Sequence, residues 1–230
     1  MTYAIEARDL YYTYEDGTVA LDHISFRAER GKMTGILGAN GAGKSTLFLN
    51  LNGVLTPAGG EVRVDGVPVT YDRKGLISVR KQVGIVFQDP DDQLFSADVY
   101  RDISFGGVNL GLPEEEVRRR VDEAMEWTGV THLKGKPTHA LSFGQKKRVA
   151  IAGVLVMEPS VVILDEPTAG LDPQGVSDIM RLLAELRGRL GMTIIIATHD
   201  MDIVPLHLLA LPTGIRREWK TGTKRSGRPQ

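Results

Sequence analysis

A chain of 230 residues with 42% hydrophobic and 25% charged side chains can bury one substantial core, or a core with a smaller subdomain. It has no cysteine, which excludes disulfides and thiolate metal sites, and its longest apolar runs, such as residues 161–164, are strand-sized and far short of a membrane span. The net charge of −1 hides an asymmetry: from Arg216 onward six bases (Arg216, Arg217, Lys220, Lys224, Arg225, Arg228) face Glu218 alone, so this tail carries +5 and the body −6, and the body offers no basic face for nucleic acid. Residues 1–6 lack the basic and apolar regions of a signal peptide, so the expectation is a protein that stays inside the cell.

Residues 3–30 alternate short apolar and polar positions around the turn signal Asp16-Gly17 and predict antiparallel strands. Tyr14 precedes that turn; an aromatic just ahead of a nucleotide loop can stack on a base or pack within its own sheet, and both readings stay open. The apolar run Gly35-Ile36-Leu37 then leads into Gly38-Ala39-Asn40-Gly41-Ala42-Gly43-Lys44-Ser45-Thr46, which fits G-x-x-x-x-G-K-[ST]. Glycines at 38, 41 and 43 free the backbone to turn successive N–H groups inward around an anion-sized hollow. Lys44 is placed to reach the β- and γ-phosphates of a nucleotide and Ser45 to ligate Mg²⁺, while the helix that starts there points its positive end at the same spot.

That helix carries Leu47, Phe48 and Leu51 at helical spacing and stops at Gly53. Residues 61–69 read as a hairpin about Asp65-Gly66. Residues 83–87 form a buried strand closed by Gln88, a polar residue at a strand end, where ligands of α/β sheets sit. Sheet signals then vanish: Pro113, the acids Glu114, Glu115 and Glu116, and the bases Arg118, Arg119 and Arg120 predict a helix with Val117, Val121, Ala124 and Met125 buried. Leu141-Ser142-Phe143-Gly144-Gln145 opens another helix with a capping box and offers a second phosphate-sized turn at a helix start.

Residues 161–164 are a fully apolar strand ending in Asp165-Glu166, and paired carboxylates there are costly unless a cation or a catalytic task uses them. Asp165 is expected to hold Mg²⁺ through water and Glu166 to polarise the attacking water. Asp172-Pro173 caps a helix with an apolar stripe of Val176, Ile179, Met180, Leu183, Leu186 and Leu190 that ends at Gly191. Residues 193–197 form a further buried strand with His199 at its end, where a γ-phosphate would lie.

In this order, residues 38–45, Gln88, residues 141–145, Asp165-Glu166, Leu171-Asp172 and His199 resemble the ATP-binding cassette family over residues 3–205. The resemblance implies an α/β P-loop NTPase: a mostly parallel sheet flanked by helices, with an amino-terminal antiparallel sheet, over residues 1–88 and 158–205, and an inserted helical subdomain over 89–157. It implies ATP hydrolysis with Mg²⁺. Nucleotide contacts come from Tyr14, Gly38, Asn40, Gly41, Gly43, Lys44, Ser45 and Thr46, and from Ser142, Gly144, Gln145 and Asp172 at a dimer interface. Ser45, Gln88 and Asp165 hold the metal, and Glu166, His199 and Gln88 are catalytic. The family signature is usually written LSGGQ, and Phe143 stands at its third position. Residues 87–95 and 141–153 are similar to ATPases of energy-coupling-factor importers, particularly the cobalt and nickel group. These pair with a second ATPase subunit, as a homo- or heterodimer, and grip an integral membrane subunit near Gln88 at the cytoplasmic face of the membrane.

Relatives continue past the histidine with further strands, whereas residues 206–230 show no strand periodicity and are expected to be a disordered basic tail. Two expectations follow: lower stability than a relative that carries those strands, and, as an alternative function, a nucleotide-binding module with little or no turnover. Soluble cassette proteins that act on DNA or ribosomes fit less well, because they carry a long coiled coil or two cassettes in one chain.

Overall fold

The computed structural model describes residues 2–199 and, as backbone, residues 207–210. Strands β1 (Tyr3–Thr13) and β2 (Val19–Glu29) pair antiparallel about the turn at Asp16-Gly17, and β4 (Gly59–Val64) with the short β5 (Val67–Pro68) completes a four-stranded sheet in the order β2-β1-β4-β5. The second sheet is wholly parallel: β3 (Met33–Leu37), β6 (Val83–Val86), β7 (Val161–Asp165), β8 (Thr193–Thr198) and β9 (His207–Ala210) lie in the order β6-β7-β8-β3-β9. Among the described residues six α-helices connect them: α1 (Lys44–Leu51), α2 (Arg73–Gln82), α3 (Val99–Asn109), α4 (Glu114–Thr128), α5 (Phe143–Leu155) and α6 (Pro173–Leu190).

The central strands are apolar throughout because both faces are covered, and their two-residue period divides the core. Val162 and Leu164 of β7 and Ile194 and Ile196 of β8 face a cluster built with α3, α4, α5 and α6. Val161 and Ile163, with Ile195 and Ala197, face the other cluster, where Leu47, Phe48 and Leu51 of α1 meet the inner face of the antiparallel sheet. The phosphate-loop helix is thus clamped between two sheets. Between β6 and β7 the chain is helical, with a single turn at Pro90–Asp92 followed by α3, α4 and α5, and Val117, Val121, Ala124 and Met125 of α4 are buried as expected.

Gly60 marks where β4 crosses an irregularity in β1. Asp9 adopts φ 53°, the β1–β4 register shifts between Arg8 and Tyr11, and a Cβ on Gly60 (φ 80°) would fall 2.3 Å from the Asp9 carbonyl oxygen. Gly60→Ala should destabilise the protein by at least about 2 kcal/mol, read as a lower midpoint in urea with an unchanged slope.

Several expectations are corrected. Residues 207–210 pair with the edge of β3 as a parallel strand, so the tail does not begin at residue 206; residues 211–230 lie outside the described residues. Helix α2 stands where no element was expected, started by Asp72, whose carboxylate accepts from the Lys74 and Gly75 N–H groups. Strand β6 ends at Val86, leaving Phe87 partly exposed. On α6 the buried set is Ile179, Leu182, Leu183 and Leu186, while Leu190 reaches the solvent: over five turns a single stripe drifts off the sheet. Pro113 is the residue preceding the helical turn of α4 and not its first member.

Candidate functional site

Four strand ends of the parallel sheet deliver the chemistry to one place. After β3 the loop turns through Gly41 and Gly43, both at positive φ, and Gly43 admits no side chain because a Cβ would lie 2.6 Å from the Ala20 carbonyl oxygen. No side chain caps α1 at Gly43, so its first-turn N–H groups are left for an anion. Gly38 and Gly43 are half-buried, while Asn40 and Gly41 form the exposed crest. Lys44 is buried, and its Nζ donates to the Gly38 and Ala39 carbonyl oxygens at 2.6 and 3.2 Å, which curls the ammonium into the loop's own hollow.

The end of β7 lies beside it. The Ser45 hydroxyl donates to Asp165 Oδ2 at 2.5 Å. Burial pushes the Asp165 carboxyl above its ordinary value; the Ser45 bond opposes this, the neighbouring Glu166 charge adds to it, and Lys44 works against it. Gln88, after β6, lines the same cleft of about 380 Å³ as Ser45 and Asp165. These hydroxyl, carboxylate and amide oxygens suit a hard divalent cation that completes its shell with water and phosphate oxygens. Among the described residues no cluster of three His, Cys, Asp or Glu could hold a metal ion by itself.

Glu166 is held under strain. It adopts φ 45°, a conformation rarely taken by residues with a side chain, and its carboxylate is buried. Oε1 lies 3.5 Å from Lys44 Nζ and Oε2 is 2.9 Å from His199 Nδ1, yet Oε1 accepts no hydrogen bond. A buried carboxylate oxygen without a donor is costly unless something supplies a proton to it. The His199 side chain is 61% exposed, so the pair sits at the rim of an open site.

Tyr14 follows β1. Its hydroxyl lies 2.8 Å from Thr46 Oγ1, which ties it to the buried side of α1, and its ring meets Tyr12 edge-on while remaining 40% exposed. The ring is thus tethered to the phosphate-loop helix and still presents a free surface.

The remaining candidates are collected elsewhere on the chain. Ser142 and Gln145 make both bonds of the capping box at the start of α5. Asp172 accepts from the Gly175 N–H at 2.7 Å to start α6. Gly144 approaches Leu171, and Phe143 packs over Gly170. No hydrogen bond or ion pair among the described residues joins Ser142, Gly144, Gln145 or Asp172 to Lys44, Ser45, Asp165, Glu166 or His199.

Sequence reasoning missed Lys147. It lies one turn beyond Phe143 on α5 and is 2% exposed; its Nζ donates to the backbone oxygens of Gln88 and Glu166, each at 3.2 Å, and stands 5.2 Å from the Phe143 ring centre. Burial lowers its pKa to about 8, against the pull of the Asp89 and Glu166 charges. Also unanticipated is an apolar groove of about 490 Å³ beside the Gln88 loop, lined by Val54, Ile77, Phe87, Phe95, Phe105 and Met157. Phe95 and Phe105 stack edge to face there, and both are exposed.

The parallel sheet, the glycine turn with Lys44 and Ser45, and the carboxylates at the end of the neighbouring strand define a P-loop nucleoside triphosphatase. The profile of the ABC transporter family matches residues 21–169, and the chain belongs to that family. It is an ATPase whose hydrolysis is coupled to transport. The energy-coupling factor transporter ATP-binding protein EcfA2 of Clostridium perfringens is 63% identical over 89% of this chain and 72% of that protein. Among solved structures, cbiO1 of Clostridium perfringens, part of the ABC transporter complex cbiONQ, is 58% identical with a TM-score of 0.87, covering 96% of this chain and 89% of that one. A dimeric bacterial ABC transporter cassette is 26% identical with a TM-score of 0.83 over 94% of this chain and 98% of its own. That cassette is also known in a post-hydrolysis state bound to ADP and Pi. Among the described residues no helix is long and apolar enough to cross a membrane.

Proposed function

We propose that this chain is the ATP-hydrolysing subunit of an energy-coupling-factor importer, working as one half of a two-cassette engine at the cytoplasmic face of the membrane. The observation that carries the chemical part is Glu166, buried and strained between Lys44 and His199, next to the Ser45–Asp165 pair. ATP places its phosphates in the hollow of residues 38–46, where Lys44 exchanges its two loop carbonyls for phosphate oxygens. Glu166 takes the proton of the attacking water as its oxygen bonds to the γ-phosphorus and ADP leaves. His199 contacts the γ-phosphate and orients Glu166. Ser45, Asp165 and Gln88 would hold Mg²⁺, which would supply positive charge to offset that of the phosphates.

Ser142, Gly144, Gln145 and Asp172 then serve the partner subunit's nucleotide, which agrees with their separation from Lys44 within one chain and with the dimeric cassette of similar fold. The groove beside Gln88 is the seat of a helix from the membrane subunit, because exposed Phe95 and Phe105 join Phe87, Ile77 and Val54 in one contiguous apolar patch, the kind of surface that marks an interaction site. Cobalt or nickel as the cargo rests on the resemblance of residues 87–95 and 141–153 to that group of importer ATPases. Strand β9 weakens the motive for a module without turnover, since residues 207–210 pair with the β3 edge. Isolating the tagged protein from its membranes and identifying the integral protein that accompanies it, then measuring cellular uptake of labelled cobalt with and without the gene, tests the assignment. Unchanged uptake removes cobalt, and the absence of any integral partner removes the importer.

Tyr14 gives a separate check. Tyr14→Ala should raise the KM for ATP roughly 10-fold, the value of one base–aromatic stack, with kcat little altered. Tyr14→Phe, which loses the Thr46 bond but keeps the ring, should stay near the parent.

A further inference from the structure

Lys147 bridges the ends of two neighbouring strands. Pairing of β6 with β7 runs from Val83↔Val161 to Val86↔Leu164, and in that register Gln88 and Glu166 fall opposite one another two residues further on. There Gln88 opens the loop that lines the cleft, Glu166 turns to φ 45°, and the Lys147 ammonium donates to both of their carbonyl oxygens. No ion pair among the described residues includes Lys147; its Nζ also faces the Phe143 ring, and the charges of Asp89 and Glu166 lie near enough to act on it.

Burying an ammonium against carbonyls is an expensive way to fill space that an aliphatic side chain would fill more cheaply. What the ammonium does, and an aliphatic chain cannot, is fix where two backbone oxygens lie. The Glu166 carbonyl also accepts from the Ala169 N–H at 3.0 Å, and the Glu166 N–H donates to the Ala197 oxygen at 3.0 Å. With Lys147 the peptide groups on both sides of a strained Cα are held, so the direction of the Glu166 side chain is held as well.

We propose that Lys147 is a positioning residue for ATP hydrolysis: by clipping the Gln88 and Glu166 carbonyls together, it aims the Glu166 carboxylate and fixes its distance from the Gln88 loop. The inference rests on Glu166 being the group that takes the water's proton. Lys147 acts through these two carbonyls and not on the reacting atoms.

The experiment compares Lys147→Met, which keeps length and bulk without donors, Lys147→Ala, which removes the donors without added bulk, and Lys147→Gln, which restores two N–H donors without charge. Steady-state ATPase and thermal melting are read on each, with Glu166→Gln in parallel. The expected result is a kcat lower by about 10- to 100-fold in K147M and K147A, the scale of a 1 Å misplacement, with KM for ATP and melting midpoint close to the parent, and recovery of most of the kcat in K147Q. A parent-like kcat in K147M or K147A beside an inactive E166Q overturns the role of Lys147 and leaves that of Glu166 intact. Loss of kcat in all three Lys147 variants together with a lower melting midpoint also overturns it, because the residue then serves the fold. A fully active E166Q removes the reading of Glu166 and the inference with it.

Discussion

Replacing Glu166 by Gln should slow ATP turnover by about 10²- to 10⁴-fold while leaving nucleotide binding near that of the parent. The substitution keeps size and two polar atoms but removes the basic oxygen. Its effect on binding is small because Lys44, the turn at Gly41 and Gly43 and the uncapped first-turn N–H groups of α1, which receive the phosphates, are untouched by it. His199 cannot take over as base at the same position: its Nδ1 is turned toward Glu166 and its ring is mostly in solvent. Steady-state hydrolysis together with equilibrium binding of a fluorescent ATP analogue separates the two quantities. Turnover equal to the parent's would remove Glu166 from the chemistry and return the assignment of the base to the cleft around Gln88.

Much of this site could be read from the chain because its parts are local in sequence. The glycine turn, Lys44 and Ser45 are contiguous, so a nine-residue pattern states nearly the whole geometry of the phosphate loop. Asp165-Glu166 stood out because four apolar residues before them predict a strand covered on both faces, and carboxylates at such an end need a use. Helix α2 was harder: it buries Val79 alone, so no apolar stripe announces it, and its start depends on the Asp72 cap. Strand β9 was harder still, because a short edge strand of a parallel sheet has no alternation to display and it lies between Pro205 and Pro212, which break any longer pattern. Lys147 was hidden for a different reason. Its spacing from Phe143 puts the two on one helical face, but its other partners are backbone oxygens 59 and 19 residues away, and a sequence does not mark which carbonyls a fold will bring to a buried ammonium.

The second large effect concerns the half of the site that one chain does not hold. Ser142→Asp keeps a good helix cap at the start of α5, since Asp caps as well as Ser, so the cassette should fold with a midpoint close to the parent's. Nucleotide should still load at Lys44, because Ser142 shares no hydrogen bond with the phosphate-loop residues of its own chain. Against a γ-phosphate presented by a partner subunit, however, the new carboxylate meets like charge. At a separation of about 4 Å and an effective dielectric constant of about 20, that repulsion is on the order of 4 kcal/mol per site, a factor of roughly 10³ in association. The retained carboxylate cap separates this from mere loss of helix structure. Measured in the Glu166→Gln background, where ATP is consumed slowly, S142D should abolish ATP-dependent pairing of the chain with its partner subunit on size-exclusion chromatography while single-chain ATP binding persists. Pairing that survives the substitution would mean that Ser142 does not face a nucleotide across the interface, and the two halves of the site would have to be sought within one chain.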